Sequence, residues 1–330
     1  MTPFIVLVAI VIVGFISMLL IAPYDLGLTI YLYEHKLSWF VDLMSESIFE
    51  LEMVGGGDIV AVYAAICLLL YLFSSLIDVD CSSNRFLFPL QNRLVSKSGW
   101  ADWLRRHRFR LEFLVVSTFF CSTLMVKLLK WTMARPRPKK IFWGTRPFSE
   151  WYEVGPYFLD EGTYRASFSS GHTASAICLM GLVYVFFSFS GKQYRRTGIL
   201  LTVAVLIFAS AMALARVMTR AHWPTDVLFS IFGGLALIHI LFFYGLRMTT
   251  GMTSYSEPSA EYCPPAPFRG LLICWYATLF CLALVGIFLG LKHFIYDRWP
   301  WLMVISICSV PLLIYSAKKI FESGLFKRYD

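Results

Sequence analysis

"MTPFIVLVAIVIVGFISMLLIAP", residues 1–23, is a single apolar run of about the ~20 residues that cross the hydrocarbon core of a bilayer as a helix. A secretory signal would place basic residues ahead of a shorter apolar stretch and end in a small-residue cleavage pattern. This run has neither, so it is expected to remain in place as a transmembrane helix.

The rest of the chain repeats the theme. Its 330 residues are 58% hydrophobic, 17% aromatic and only 15% charged, too little polar surface for a water-soluble globule. Apolar stretches of spanning length fall at about 3–22, 57–77, 111–130, 173–190, 198–215, 225–245, 270–290 and 300–316. The expected fold is therefore all-α, a polytopic membrane bundle of about eight transmembrane helices. The proline-rich "SEPSAEYCPPAP" (256–267) reads as a polar linker and separates a six-helix unit from two further helices.

Orientation follows from the basic residues. Arg85, Arg93, Lys97, Arg105, Arg106, Arg108 and Arg110 follow the second helix; Lys192, Arg195 and Arg196 follow the fourth; Lys318, Lys319, Lys327 and Arg328 lie in the tail. These segments alternate along the chain, which places them and both termini on the cytoplasmic side and segments 23–56, 131–171, 216–223 and 292–299 on the other. The net charge of +8 is then a topology signal with a lipid-headgroup face, and membrane lipids are the expected partners in place of nucleic acid. The eight cysteines show no C-x-x-C spacing and read as small packing residues.

One outer segment breaks the charge rule: Lys130, Arg135, Arg137, Lys139, Lys140 and Arg146 crowd residues 130–146. Such an excess calls for an anion, either an acidic headgroup or a substrate phosphate. In "KWTMARPRP" (130–138) the prolines interrupt the helix and bring a lysine and an arginine together, one neutralising charge and the other donating a fork of hydrogen bonds. Lys130 snorkelling from a helix end is the plainer alternative. In "SSGHTASA" (169–176) the start of a helix presents unpaired N–H groups. There Gly171 admits a close ligand, Ser170 can donate a hydroxyl and His172 can act as an acid; the alternative is an ordinary serine N-cap with an interfacial histidine. In "ARVMTRAHWPTD" (215–226) Pro224 starts a helix, His222 stands at its entrance, Asp226 lies one turn inside and Arg216 ends the preceding helix. A carboxylate beside an imidazole fixes its tautomer and leaves the other nitrogen free to attack. Asp226 as a cap and Arg216 snorkelling are the alternatives.

Together the three segments read K-x6-R-P, S-S-G-H and R-x5-H-x3-D on one membrane face. The chain here resembles the type-2 phosphatidic acid phosphatases, which include bacterial lipid phosphatases and share their site with vanadium haloperoxidases and glucose-6-phosphatase. The resemblance covers residues 110–245, with two departures: the family usually has proline at Ser169 and serine at Ala215. It implies a membrane-embedded lipid phosphatase core over residues 1–250, with its motifs within 130–226, and a linker with two additional helices over 251–330. By the same resemblance His222 is the nucleophile, Asp226 its orienting partner and His172 the acid for the leaving group, while Lys130, Arg137, Ser170, Gly171 and Arg216 hold the phosphoryl oxygens. No metal or other cofactor is implied. Outside these motifs, His239 is expected to hydrogen-bond a neighbouring helix, Tyr164 and Arg165 to reach a headgroup, and the aromatic residues of 141–158 to anchor at the interface or cover the site.

The resulting expectation is a metal-independent phosphatase of the bacterial-type cytoplasmic membrane with an extracytoplasmic active site, acting on a lipid phosphate or diphosphate that arrives laterally. Phosphatidic acid, phosphatidylglycerol phosphate, undecaprenyl diphosphate and lipid A all fit. A lipid phosphotransferase using the same phosphohistidine, or a non-catalytic lipid-binding or transport protein, are the alternative readings.

Overall fold

The computed structural model describes residues 2–45, 56–77, 98–153, 166–248, 266–296 and 300–326. Among these every regular element is a helix. Tyr164, Arg165, Cys81, Cys263, most of the 256–267 linker and residues Lys327 and Arg328 of the tail lie outside the described residues.

Helix α1 (Pro3–Ile21) opens on proline, whose missing N–H costs nothing in a first turn. A single 3-10 turn (Ala22–Tyr24) around Pro23 leads into α2 (Asp25–Glu34), and α3 (Ser38–Ser45) and α4 (Gly56–Leu76) follow. Helix α5 (Ser98–Thr118) continues through a π-helical segment (Phe119–Met125) into α6 (Val126–Met133). A short helix α7 (Pro138–Phe142) comes next, then α8 (Gly171–Cys178) and α9 (Met180–Phe187), broken at Leu179. Helix α10 (Lys192–Met218), α11 (Pro224–Ile240) with a π-helical end (Leu241–Gly245), α12 (Arg269–Tyr296) and α13 (Met303–Glu322) complete the chain.

Seven helices among the described residues are long and apolar enough to cross a membrane, and Gly171–Phe187 is a shorter apolar helix. The protein is an all-α, multi-pass membrane bundle. Large apolar side chains such as Leu200 and Ile207 on α10 and Ile307 and Ile314 on α13 face outward, where lipid tails replace water as the solvent. The third span departs from the sequence reading. It begins at Ser98, not near residue 111, so Arg105, Arg106, Arg108 and Arg110 are helical and not in a loop. Their charges are accommodated locally: Asp102 pairs with Arg105, buried Arg108 donates to the Ser74 carbonyl, and Arg110 stacks over Phe189 at 4.2 Å.

The segment from α1 to the start of α2 runs antiparallel along α11 and touches it at both ends and in the middle. His239 bridges Tyr184 Oη through Nδ1 and the Pro3 carbonyl through Nε2, each at 2.8 Å, the inter-helix role expected of it. Halfway along, a Cβ on Gly14 would lie 2.6 Å from Phe232 Cβ. At the other end Asp25 meets Thr225. Helices α12 and α13 form a tight hairpin in which a Cβ on Gly286 or Gly290 would come within 2.2 Å of Ser309 Oγ or Ser306 Oγ, the small-residue packing that holds helices together in lipid. The hairpin is tied to the bundle by Arg269, whose guanidinium pairs with buried Glu112 of α5 at 2.8 Å, and by the Gly270 N–H, which donates to Tyr71 Oη at 2.8 Å.

These helix directions gather the ends of α6 and α10 and the starts of α8 and α11 at one end of the bundle. The basic start of α10 (Lys192, Arg195, Arg196) lies at the opposite end. So does the close of α13, where the Phe326 N–H donates to the Gly245 carbonyl at 2.8 Å.

Candidate active site

Each motif residue sits where a helix starts or stops. Lys130 is in the last turn of α6, which ends because Ala134 takes the left-handed conformation (φ 48°). Arg137 follows in extended backbone (φ −71°, ψ 148°) as the residue capping α7. Pro136 lies in the non-helical link that follows Ala134, whereas Pro138 begins a helix, since proline is tolerated at a first position. Ser170 caps α8, and its Oγ accepts from the Thr173 hydroxyl at 3.0 Å and the Thr173 N–H at 3.4 Å. Gly171 and His172 are the first two residues of α8. Arg216 is in the last turn of α10 and is buried, as is Lys130. His222, 1% exposed, stands before α11, and fully buried Asp226 is in the first turn of that helix.

Backbone hydrogen bonds lock the three connecting loops together. The Ser167 N–H donates to the Arg135 carbonyl at 2.7 Å, and the Lys139 N–H to the Arg220 carbonyl at 3.2 Å. The Trp223 indole N–H donates to the Pro136 carbonyl at 2.9 Å. The Ser170 N–H donates to Ser230 Oγ at 2.9 Å, and Ser230 in turn bonds the Asp226 carbonyl at 2.8 Å. The result is that three cations, Lys130, Arg137 and Arg216, all act electrostatically on both His172 and His222. Two arginines and a lysine facing two imidazoles, beside the start of a helix, give this end of the bundle a potential suited to an anion.

The imidazole of His222 is buried, which pushes its pKa down to about 3; the charges of Arg137, Lys130 and Arg216 act in the same direction against the raising influence of Asp226. The ring is therefore neutral at ordinary pH. Its Nδ1 lies 2.7 Å from the Ser167 carbonyl oxygen. A carbonyl only accepts, so Nδ1 carries the hydrogen and Nε2 presents a lone pair.

The sequence reading gave the orienting role to Asp226 directly. In the structure Asp226 Oδ2 stands 3.8 Å from His222 Nδ1, beyond hydrogen-bond length, and the Ser167 carbonyl is the nearer acceptor. The Asp226 carboxylate is taken up by the Ser167 hydroxyl, the Trp223 N–H at 2.9 Å and Arg135 Nη1 at 2.7 Å. It thus also caps its own helix, the plainer alternative for this residue.

Arg135, counted in the sequence only as one cation among six, is 1% exposed. It donates through Nε to the Ser149 carbonyl (2.9 Å), through Nη1 to Thr225 Oγ1 (2.8 Å) and Asp226 Oδ1 (2.7 Å), and through Nη2 to Asp25 Oδ2 (2.9 Å). Asp25, Ser167, Thr225 and Ser230 likewise escaped the sequence reading. Asp25 carried a signal, since an acid at the end of an apolar run requires a partner. Ser167, in a serine-rich stretch, carried none.

A Cβ at Gly171 would meet only Val126 Cγ1, at 3.6 Å, so protein packing does not require glycine there. Among the described residues no three His, Cys, Asp or Glu side chains gather as a metal site. The six described cysteines are free thiols, four of them buried.

Comparison with curated proteins and with solved structures gave no match. Residues 111–249 match the PAP2 superfamily, and this span, about two fifths of the chain, contains all three motifs, both histidines, Lys130, Arg137 and Arg216.

Proposed function

We propose that this protein hydrolyses a lipid phosphate or diphosphate monoester through a phosphohistidine intermediate on His222, at the extracytoplasmic face of the membrane. The observation that carries the reading is the neutral His222 ring, proton held on Nδ1 by the Ser167 carbonyl and Nε2 open, in the field of Lys130, Arg137 and Arg216.

In the first step the Nε2 lone pair attacks phosphorus and the bond to the lipid oxygen breaks. His172 gives its proton to that oxygen, so the lipid leaves as an alcohol or as a lipid phosphate. The three cations, the Ser170 hydroxyl and the Gly171 N–H meet the charge that grows on the equatorial oxygens. In the second step water attacks the phosphorus, neutral His172 takes a proton from it, and the N–P bond breaks to release phosphate and restore His222. Charge neutralisation comes from side chains already in place. Substrate dianion among the cations also favours the protonated state that His172 needs as an acid.

Three observations support a lipid substrate reaching an outer site from the side. The proposed phosphate cradle lies at the ends of membrane-embedded helices. It lies opposite the exposed basic start of α10, which by the charge bias of membrane proteins faces the cytoplasm. Exposed Trp143 and Tyr152 flank the segment after α7, where aromatic side chains meet headgroups. Phosphatidic acid, phosphatidylglycerol phosphate, undecaprenyl diphosphate and lipid A all present the required group.

The test is phosphate release by the purified full-length protein from a panel of these four lipids in mixed micelles, with and without excess EDTA. Release from at least one lipid, unchanged by EDTA and inhibited by vanadate, is expected. No release from any of the four, or release that vanishes on chelation and returns with magnesium, counts against the reading.

A further inference from the structure

The carboxylate expected to orient the nucleophile does not reach it, and what lies behind that carboxylate is a closed set of buried charges. Asp25, Arg135 and Asp226 are each no more than 1% exposed. Asp25 accepts from the Thr225 N–H (Oδ1, 2.9 Å), the Thr225 hydroxyl (Oδ2, 2.5 Å) and Arg135 (Oδ2, 2.9 Å). Arg135 spans the two carboxylates, and its guanidinium lies 5.3 Å from the Trp223 ring centre and 5.8 Å from that of Phe148. Asp226, held by Arg135 through Oδ1, uses Oδ2 to take the Ser167 hydroxyl and the Trp223 N–H. Ser167 then turns its own carbonyl to His222 Nδ1.

We infer that Asp25, Arg135 and Ser167 are positioning residues for His222: the acid at the start of α2 sets the arginine, the arginine sets Asp226, and Asp226 sets the serine whose backbone carbonyl selects the Nδ1–H tautomer. This inference rests on the reading of His222 as the nucleophile and adds to it a second, indirect route by which a charge controls the attacking nitrogen. Two features make this more than helix cement. All four carboxylate oxygens of Asp25 and Asp226 accept at least one hydrogen bond, and such saturation is what holds a buried network in one arrangement. The chain of contacts also ends on a single ring nitrogen, whose protonation decides whether the opposite nitrogen can attack. Two carboxylates against one guanidinium leave the network one negative charge, facing the three cations of the cradle, so the ring sits between opposite fields.

The test uses Ser167→Ala, which keeps the carbonyl and removes the hydroxyl that Asp226 holds, and Asp25→Asn, which keeps the size and removes the charge. Both are made in the full-length protein and purified in detergent. The first readout is the kinetic split with a lipid phosphate, normalised to folded protein. The kcat is expected to fall roughly 10–100-fold, the usual cost of removing groups that orient a functional histidine, with KM and the inhibition constant of inorganic phosphate changed by no more than about twofold, because the phosphate-holding side chains are untouched. The second readout needs no turnover: in 15N-histidine-labelled protein the His222 signals, assigned by their loss in His222→Gln, are expected to pass from one Nδ1–H tautomer to a mixture, while the remote His239 signals stay fixed.

A kcat within about twofold of wild type in both variants, or a His222 spectrum identical to wild type in both, overturns the inference. If Asp25→Asn fails to fold, Ser167→Ala alone decides by the same criteria. If wild-type protein releases no phosphate, the proposed hydrolysis fails, and the tautomer measurement still decides the positioning inference by itself.

Discussion

Arg269 Nη2 sits 2.8 Å from Glu112 Oε1, with the carboxylate wholly buried and the guanidinium nearly so, and this pair joins the C-terminal hairpin to a helix that leads directly to Lys130. Both charges lie among apolar helices, where their mutual attraction offsets a large desolvation cost only while both are present. Arg269→Met is expected to destabilise the protein by about 3 kcal/mol, the lower end of the cost of orphaning one partner of a buried pair, because Arg108 still faces Glu112. The Arg269→Met/Glu112→Gln double variant should recover most of that loss. Thermal unfolding in detergent measures both; a double variant no better than the single one would show that the pair is not coupled.

Gly171 separates folding from ligand binding. Alanine is the better helix former by roughly 0.5–1 kcal/mol, and the methyl group would meet only Val126 at 3.6 Å. Gly171→Ala is therefore expected to unfold no earlier than wild type, yet to bind inorganic phosphate more weakly and lose phosphatase activity by about tenfold or more, since the methyl group takes the space of a phosphoryl oxygen. Wild-type phosphate affinity in a stable Gly171→Ala protein would remove Gly171 from the cradle.

The two histidines are predicted to fail differently. His222→Ala should abolish turnover with every substrate. His172→Ala should cost roughly 10²–10⁴-fold with a lipid alkoxide leaving group, the range for general acid catalysis, and much less with p-nitrophenyl phosphate, whose leaving group needs no proton. Rapid quench with radiolabelled substrate reads both. Equal losses on good and poor leaving groups in the His172 variant would refute its role as the acid.

The depressed pKa of His222, about 3 against an ordinary 6.5, has a defined pH consequence. The folded protein keeps this ring neutral across a range in which the unfolded chain would protonate it. Its contribution to stability is thus full above about pH 6.5 and is lost as pH falls from there toward 3. Imidazole 15N shifts of His222 are expected to be constant between about pH 7 and 5, and added inorganic phosphate, by offsetting the three cations, should raise the titration midpoint. A midpoint near 6.5 that ignores phosphate would contradict the electrostatic description of the site.

Topology is checked by labelling from outside. In a background stripped of the eight native cysteines, a membrane-impermeant maleimide is expected to modify Tyr152→Cys, exposed after α7, and to spare Gln193→Cys at the start of α10. The opposite pattern puts the cradle in the cytoplasm.

Much of this architecture was legible from residue type and spacing alone, because lipid imposes long apolar runs and because the three motifs, read at helix ends on one membrane face, do come together there. Seven of the eight apolar runs fall on helices of spanning length and the fourth on the shorter, broken pair α8 and α9, and the charges of Lys130, Arg137 and Arg216 act on both His172 and His222. What stayed hidden depends on three-dimensional pairing. The start of α5 was misplaced because arginines read as loop residues, when Arg108 in fact finds a backbone carbonyl on α4. Arg135 stood only as one cation among six, since nothing in its neighbours reveals that its partners are 110 residues upstream and 91 downstream. The Ser167 carbonyl carries no side-chain signature at all.

The separation between Asp25 and Thr225, 200 residues along the chain, orders events during synthesis. The segment from α1 into α2 emerges first, with Asp25 at the start of α2, whose arginine partner follows α6 and whose threonine partner arrives only with α11. Until then the carboxylate lacks the threonine half of its partners, and His222 has not been made. A chain that stops short of residue 222 therefore lacks His222, Thr225 and Asp226 together, and Asp25 and Arg135 lack the partners that close their network.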